Sequence, residues 1–486
     1  MSTIHNIVGV AAGCLLCAAA LGQWNNIGGN AQRNGLSAQV GPDSQNDVLW
    51  SGGPSSLISW PPLVDDGRVV IVRQTGFPPS GEPGGSLIHV LNLETGASQG
   101  TINVPFASGD WTTWVLGVRN GRIYASRGGN GASSSAPVYA YDLVTRQQLW
   151  VTTFEVDAGF YDGVVFTSDG DLIVGSFRTV WRIDGATGAL EWSFPRVCSV
   201  SGNCGGALSV SGDAVYVVDT VAGGQSVRKF SLATGQFMYA GPVMSGFLMQ
   251  NTPLVSPDGT ILVPRVQNNA AVDFLFAFRD TGTAIQTKWQ AASAYYTGGS
   301  LGVGADSSVY AFAPGNILTR YDSATGDVLS TYPTAIAADF LSPQMAVDAQ
   351  GRVYVSNGAF SNGRLYCFTA DLQLLWSRAV TNVNIGGPSL GANGTLVFGG
   401  NGTQLTALRT VRGPTCDGVD FNNDGSLFDP TDIDAFLSVF SEGPCVPAGA
   451  TCNDVDFNND GSLFDPCDVD AFLVVFSEGP CTVCGE

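Results

Sequence analysis

Two stretches near the C-terminus place oxygen-bearing side chains at alternate positions and follow them with glycine. Asp420, Asn422 and Asp424 precede Gly425 and Ser426; Asp456, Asn458 and Asp460 precede Gly461 and Ser462. Oxygen ligands at the first, third and fifth positions, with glycine at the sixth, let a short segment wrap one hard divalent cation. The seventh residue, Ser426 or Ser462, adds its backbone carbonyl. A carboxylate at the twelfth position normally completes such a loop. Thr431 and Cys467 stand there instead, with Asp432 and Asp468 one residue later, so each loop is expected to carry one extra residue. The chemistry implied is the binding of two calcium ions, one per loop.

The two loops belong to a longer duplication. Cys416–Cys445 and Cys452–Cys481 are the same 30-residue sequence, 36 residues apart, with five differences. Fifteen of the chain's twenty excess negative charges lie between Cys416 and Glu486, a stretch with no Lys or Arg. The acidity is therefore local to the loops. After each loop an apolar pattern predicts a helix of under four turns: Ile433, Phe436, Leu437 and Phe440 lie at i, i+3, i+4 and i+7, and Val469, Phe472, Leu473 and Phe476 repeat them. Asp429 and Asp465 each precede Pro and stand three residues before another Asp, which fits a helix cap and also fits a water-mediated metal contact. Gly443-Pro444 and Gly479-Pro480 end the helices. Helices this short are marginal alone, so their apolar faces are expected to bury each other.

Eleven cysteines are present. Six fall in this acidic segment, an even number that suits a disulfide framework. Repeat symmetry suggests Cys416–Cys445 and Cys452–Cys481, leaving Cys467 to pair with Cys484. Cys198 and Cys204 flank a Ser/Gly-rich loop and are expected to pair, whereas Cys367 lies in an apolar strand pattern and reads as a buried thiol. The apolar run Ile7–Leu21 is too short to span a bilayer and stands where a secretory signal stands. Residues 1–22 are read as that signal, and the remainder as an exported chain without a transmembrane segment.

What holds these loops is a much larger body. Its 63 glycines, few charges and many aromatics suit short strands joined by tight turns. From about Val48 to Leu408 a strand–turn–strand pattern recurs every 43–54 residues, with turns such as Asp66-Gly67, Asn120-Gly121, Asp258-Gly259 and Asn393-Gly394. Eight such hairpins occur, but only seven of the second hairpins that follow them. The missing strand is found at the other end, where Val48–Trp50 resembles the strand endings at Trp150 and Trp376. Four-stranded units of this length stack radially. The fold class expected is an all-β eight-bladed β-propeller over residues 23–411, its last blade closed by residues 48–50. A small α-helical, calcium-loop, disulfide-bonded module follows at 416–486.

The Asp-x-x-Thr-Gly-x-x-x-Trp pattern at Asp184–Trp192, and its variant at Asp142–Trp150, resembles the pyrroloquinoline-quinone-type propeller repeat. The opening with Trp24, Gly28-Gly29-Asn30 and Arg33-Asn34-Gly35 is similar to openings of that family. The resemblance implies a fold shared by quinoprotein dehydrogenases and by a non-enzymatic outer-membrane assembly scaffold. The dehydrogenases typically carry an adjacent Cys-Cys pair near the quinone, and this sequence has none. Its only histidines are His5 and His89, which excludes a multi-His metal site or a His-based triad in the body. The expectation is a non-enzymatic propeller without pyrroloquinoline quinone. Quinoprotein oxidoreductase and envelope assembly scaffold are the alternatives. Aromatics before the tight turns, namely Trp111, Phe160, Phe247, Tyr296 and Phe340, would share one face and could dock a protein or a carbohydrate; the alternative is that they seal adjacent blades. The tandem repeat resembles a dockerin module. That implies a cohesin-like or cell-surface receptor at an extracellular, surface or periplasmic location, and no nucleic-acid partner.

Overall fold

The computed structural model describes residues 24–44, 46–54, 56, 58–59, 61–74, 86–106, 112–128, 135–157, 164–198, 204–245, 252–264, 274–294, 301–336, 344–357, 362–380, 387–400, 405–410, 416–459, 463–464, 466–477, 479 and 481. The chain divides into two compact units, 1–410 and 411–486.

The first unit is an eight-bladed β-propeller. Every blade is an antiparallel sheet, and in blades 1 to 7 the four successive strands follow chain order; blade 2, for example, runs Thr112–Arg119, Arg122–Gly128, Ala136–Asp142 and Gln148–Val156. Turn chemistry explains the sharp reversals. Asp66 and Gly67, Asn120 and Gly121, and Asn393 and Gly394 all hold positive φ, the geometry that matches the twist of paired strands. Blade 8 is the split one. Ser389–Leu390, Leu396–Gly399 and Leu405–Thr410 are completed by Asn46–Gly52, with Val48 opposite Leu408 and Trp50 opposite Ala407. The expected closure by residues 48–50 is therefore present, within a longer seven-residue strand.

A repeated clamp joins neighbouring blades, and it gives the Asp-x-x-Thr-Gly…Trp pattern its physical meaning. The Asp184 carboxylate accepts from the Thr187 backbone N–H and hydroxyl (2.7 and 2.9 Å). That fixes a turn whose glycine, Gly188, holds φ +77 beneath the Trp150 ring of the preceding blade; a Cβ there would lie 2.5 Å from the indole. Trp192 meets Gly235, Trp289 meets Gly326 and Trp50 meets Gly96 in the same way. All four indoles donate to the next blade: Trp192 to Leu232 O (2.9 Å), Trp289 to Ser323 O (2.8 Å), Trp50 to Leu93 O (2.8 Å) and, more weakly, Trp150 to Gly185 O (3.4 Å). Trp50 thus makes the contact that closes blade 8 on blade 1. Among the described residues Trp376 makes no such bond, because the next blade is the split one and offers no continuous turn. Gly188→Ala should cost ~1–3 kcal/mol more than Gly259→Ala. Gly259 also holds positive φ but faces open space, so the difference in denaturation midpoints isolates the indole contact.

Blades 4 and 5 use charge instead. Asp280 accepts from Lys229 Nζ, Tyr216 OH and Tyr239 OH, each at 2.7 Å. Burial opposes ionisation of Asp280, but these hydrogen bonds outweigh it and bring the carboxyl down to about 2. A depressed carboxylate contributes stability that is complete above its unfolded value near 4 and is lost as pH falls through 2. Acid unfolding should accordingly show a destabilisation between about pH 4 and 2 that Asp280→Asn flattens, and that variant should already be weaker at neutral pH.

Residues 24–43 precede the first blade strand and visit the blades in order. Trp24 exchanges both backbone bonds with Val64 of blade 1 (2.8 and 3.1 Å). Asn25 O accepts from Val118 N of blade 2 (2.9 Å), and Asn25 Nδ2 donates to Val118 O (2.7 Å). Asn26 Nδ2 donates to Val164 O of blade 3 (2.8 Å). The carbonyls of Ala31, Gln32, Asn34 and Gly35 then accept from Leu208, Val255, Val303 and Val347, in blades 4 to 7, at 2.7–3.0 Å. Asp43 N finally donates to Thr410 Oγ1 of blade 8 (2.9 Å).

Candidate metal centre

The second unit is built from two copies of loop plus helix. Helices α1 (Pro430–Phe440) and α2 (Pro466–Phe476) follow the two acidic loops. Their shared core is aromatic: Phe421, Phe436, Phe457 and Phe472 are fully buried with Ala435 and Ala471. Phe436 and Phe472 stack face to face at 4.3 Å, and each loop phenylalanine meets the stack edge-on. The apolar face is the expected one except at one position in each helix: Phe436 and Phe472 are buried in this core, and Ile433, Phe440, Val469 and Phe476 pack against it. Leu437 and Leu473 are 47% and 46% exposed, while the buried set is Asp432, Ala435 and Phe436 with their counterparts Asp468, Ala471 and Phe472. A small residue beside each ring leaves room for the two rings to come into contact.

An approximate two-fold relation joins the copies. Asp417 N donates to Phe457 O (2.9 Å) and Asn453 N, its counterpart, donates to Phe421 O (3.0 Å). Asn423 Nδ2 donates to Asn453 Oδ1 (3.0 Å), and Asn459 Nδ2 to Asp417 Oδ1 (3.1 Å). Phe428 packs on Phe476, and Phe464 on Phe440. Phe428 and Phe464 hold φ of 63° and 62°. Positive φ is uncommon for a bulky residue, and the two copies share it at the same position of the repeat.

In the first loop the acidic groups turn toward the backbone. Asp420 accepts from the N–H groups of Asp424 and Gly425 (both 2.9 Å), Asn422 Oδ1 from Asp424 N (3.0 Å), and Asp424 from Ser426 N (2.8 Å). Sharing one N–H keeps an Asp420 oxygen and the Asn422 oxygen within about 6 Å of each other. Asp432 is fully buried and accepts from Phe421 N (2.9 Å) and Asp429 N (3.2 Å), tying the loop's first turn to the helix. Burial pushes its carboxyl above the usual range despite those bonds. Asp429 is the cap of α1: it accepts from Thr431 N and Asp432 N, and Asp432 reaches back to its N–H. Those bonds, led by the Thr431 hydroxyl, hold Asp429 below the usual range.

In the second loop Asn458 and Asp468 are buried to the same degree as Asn422 and Asp432, and Asp456 stands at the matching position. Asp460, Ser462 and Asp465 lie outside the described residues. Among the described residues no three His, Cys, Asp or Glu side chains are gathered into a metal-holding group. The donors of the first loop, three carboxylates, one carboxamide oxygen and the Ser426 carbonyl, are all hard oxygens. They suit calcium or another hard divalent cation and no softer metal.

The disulfides correct the pairing expected from repeat symmetry. Cys416 is bonded to Cys481 and Cys445 to Cys452, not Cys416 to Cys445 and Cys452 to Cys481. The C-terminal end of each helix lies against the other copy, as Phe476 on Phe428 shows. Each trailing cysteine therefore finds the leading cysteine of the other copy. Cys467 is also disulfide-bonded; Cys484 lies outside the described residues. In the propeller Cys198 and Cys204 are bonded, and Cys367 is a buried thiol. Trp111, Phe160, Phe247, Tyr296 and Phe340 all lie outside the described residues. His89 sits in a blade strand, its basicity lowered by burial and by the nearby Arg73.

Comparison with known proteins concerns the propeller. Residues 134–262 match the family model described as PQQ_2, outer membrane protein assembly factor BamB. No curated protein matches the chain by sequence. Among solved structures, BamB from Moraxella catarrhalis is similar at 14% identity and TM-score 0.50, covering 75% of this chain and 99% of its own. Quinohemoprotein alcohol dehydrogenase from Comamonas testosteroni is similar at 12% identity and TM-score 0.55, covering 86% of this chain and 85% of its own. The C-terminal WD40 domain of Sif2 is similar at 11% identity and TM-score 0.50, covering 77% and 99%. These structures include an enzyme and non-enzymes, and what they share with this chain is the propeller fold; the repeat of the PQQ and BamB type rests on the match of residues 134–262.

Proposed function

We propose that the chain is an exported, non-catalytic propeller scaffold whose C-terminal module folds around two calcium ions and attaches it to a protein receptor. The observation that carries this reading is the reciprocal pairing of the two acidic loops. Each loop's backbone bonds the other's, so ordering one loop orders both. Asp420, Asn422, Asp424, Ser426 and Asp432 would hold one ion. Asp456, Asn458, Asp460, Ser462 and Asp468 would hold the other. A bound cation would neutralise acidic groups that now crowd a segment without a compensating Lys or Arg, so metal and folding are coupled. In the intact protein a chelator should lower the melting temperature of the module and leave that of the propeller in place. A module transition that ignores chelator would refute the coupling.

The match of residues 134–262 to the outer-membrane assembly factor family favours a second reading, in which the propeller serves as an envelope assembly scaffold. Co-purification of the native protein with outer-membrane assembly components, independent of calcium, would support that reading over attachment through the module.

A further inference from the structure

We propose that residues 24–43 are a closing strap, which locks the eight blades into one cooperative unit and can seat only after the last blade exists. Among the described residues, the first strand of each of blades 2, 4, 5, 6 and 7 ends its sheet, with no further strand paired to its free edge. Such an edge presents unpaired backbone groups. The strap supplies their partners through one amide in each of these blades: Val118, Leu208, Val255, Val303 and Val347.

Geometry makes the strap a lock and not a set of separate contacts. The twelve residues from Trp24 to Gly35 pass from blade 1 to blade 7, three quarters of a circuit. They do so as one folded piece, since Gly29 N donates to Asn26 O (3.0 Å), Arg33 N to Asn30 O (3.1 Å) and Gly35 N to Gly28 O (2.9 Å). Two glycines allow close contacts. Gly29 holds φ +85 against the Trp24 ring, and Gly35 holds φ +72 where a Cβ would meet the Met345 carbonyl at 3.0 Å. Displacing the strap from one blade strains its hold on the next. The strap is synthesised first, yet it needs Val347 and Thr410 as partners, so seating must await synthesis of the chain through Thr410.

The test is hydrogen exchange on the intact protein, resolved at the five amides. A lock predicts that all five open with one common free energy in the wild-type chain, although they lie in different blades. Asn25→Ala with Asn34→Ala removes side-chain bonds to Val118 O and Val255 O (2.7 and 2.8 Å). It should accelerate all five amides together, by about tenfold for each bond lost. The proposal is overturned if only Val118 and Val255 accelerate, if none does, or if the wild-type amides open independently. Should the double variant fail to fold, the wild-type comparison alone decides.

Discussion

Replacing Phe436 with alanine should unfold the C-terminal module while the propeller stays folded. Phe436 is fully buried, stacks on Phe472 at 4.3 Å and meets Phe421, Phe440 and Phe457 at ring separations of 5.2–6.0 Å. Truncating a buried phenylalanine costs ~3–5 kcal/mol. That is a large share of the stability available to a unit of this size. The neighbours cannot collapse into the space, because two 11-residue helices pinned by crossed disulfides have little freedom to approach further. Loss of the module's thermal transition, with the propeller's transition unmoved, is the expected readout. By contrast Leu437→Ala, at an exposed position, should change stability by less than ~1 kcal/mol. Equal effects at the two positions would show that the helix faces water with the other side.

Severing Cys416–Cys481 should be the costliest disulfide change. It spans 65 residues and closes nearly the whole module, whereas Cys445–Cys452 spans seven. On the chain-entropy account the first contributes ~4 kcal/mol and the second ~2–3 kcal/mol. Cys416→Ser with Cys481→Ser should therefore destabilise the module more than Cys445→Ser with Cys452→Ser. Pairing within each copy would instead make Cys416→Ser equivalent to Cys452→Ser by repeat symmetry. Non-reducing peptide mapping after cleavage at aspartate separates the two patterns directly, since the segment has no Lys or Arg for a basic-site protease.

The propeller was legible in the sequence because its information is local. A two-residue turn fixes a hairpin, and a glycine under an indole fixes a blade junction. The absent eighth hairpin, set against the orphan strand at Val48–Trp50, even located the splice in the ring. The module shows where such reading stops. Repeat symmetry makes the two copies equivalent but is silent on which copy a cysteine meets, and the answer came from the crossed helix ends at Phe428 and Phe464. Helical spacing likewise chose Leu437 for the core, because periodicity weighs size and not the need for small residues beside a ring stack. The strap over residues 24–43 carries little sequence signal beyond its glycines and asparagines, since its partners lie as much as 367 residues away. In the first loop the sequence marks the oxygen-bearing residues, while the burial of Asp432 against the loop's own N–H groups emerges only from the fold.

Calorimetric titration of calcium into the intact, oxidised protein, followed in parallel by helical circular dichroism, tests the central claim most directly. The account predicts heat saturating at two ions per chain with a gain in helicity. Asp420→Asn should weaken the first site, and reciprocal pairing of the loops should carry part of that loss to the second. Titration without heat and without a change in helicity, in a chain whose disulfides are intact, would contradict the account.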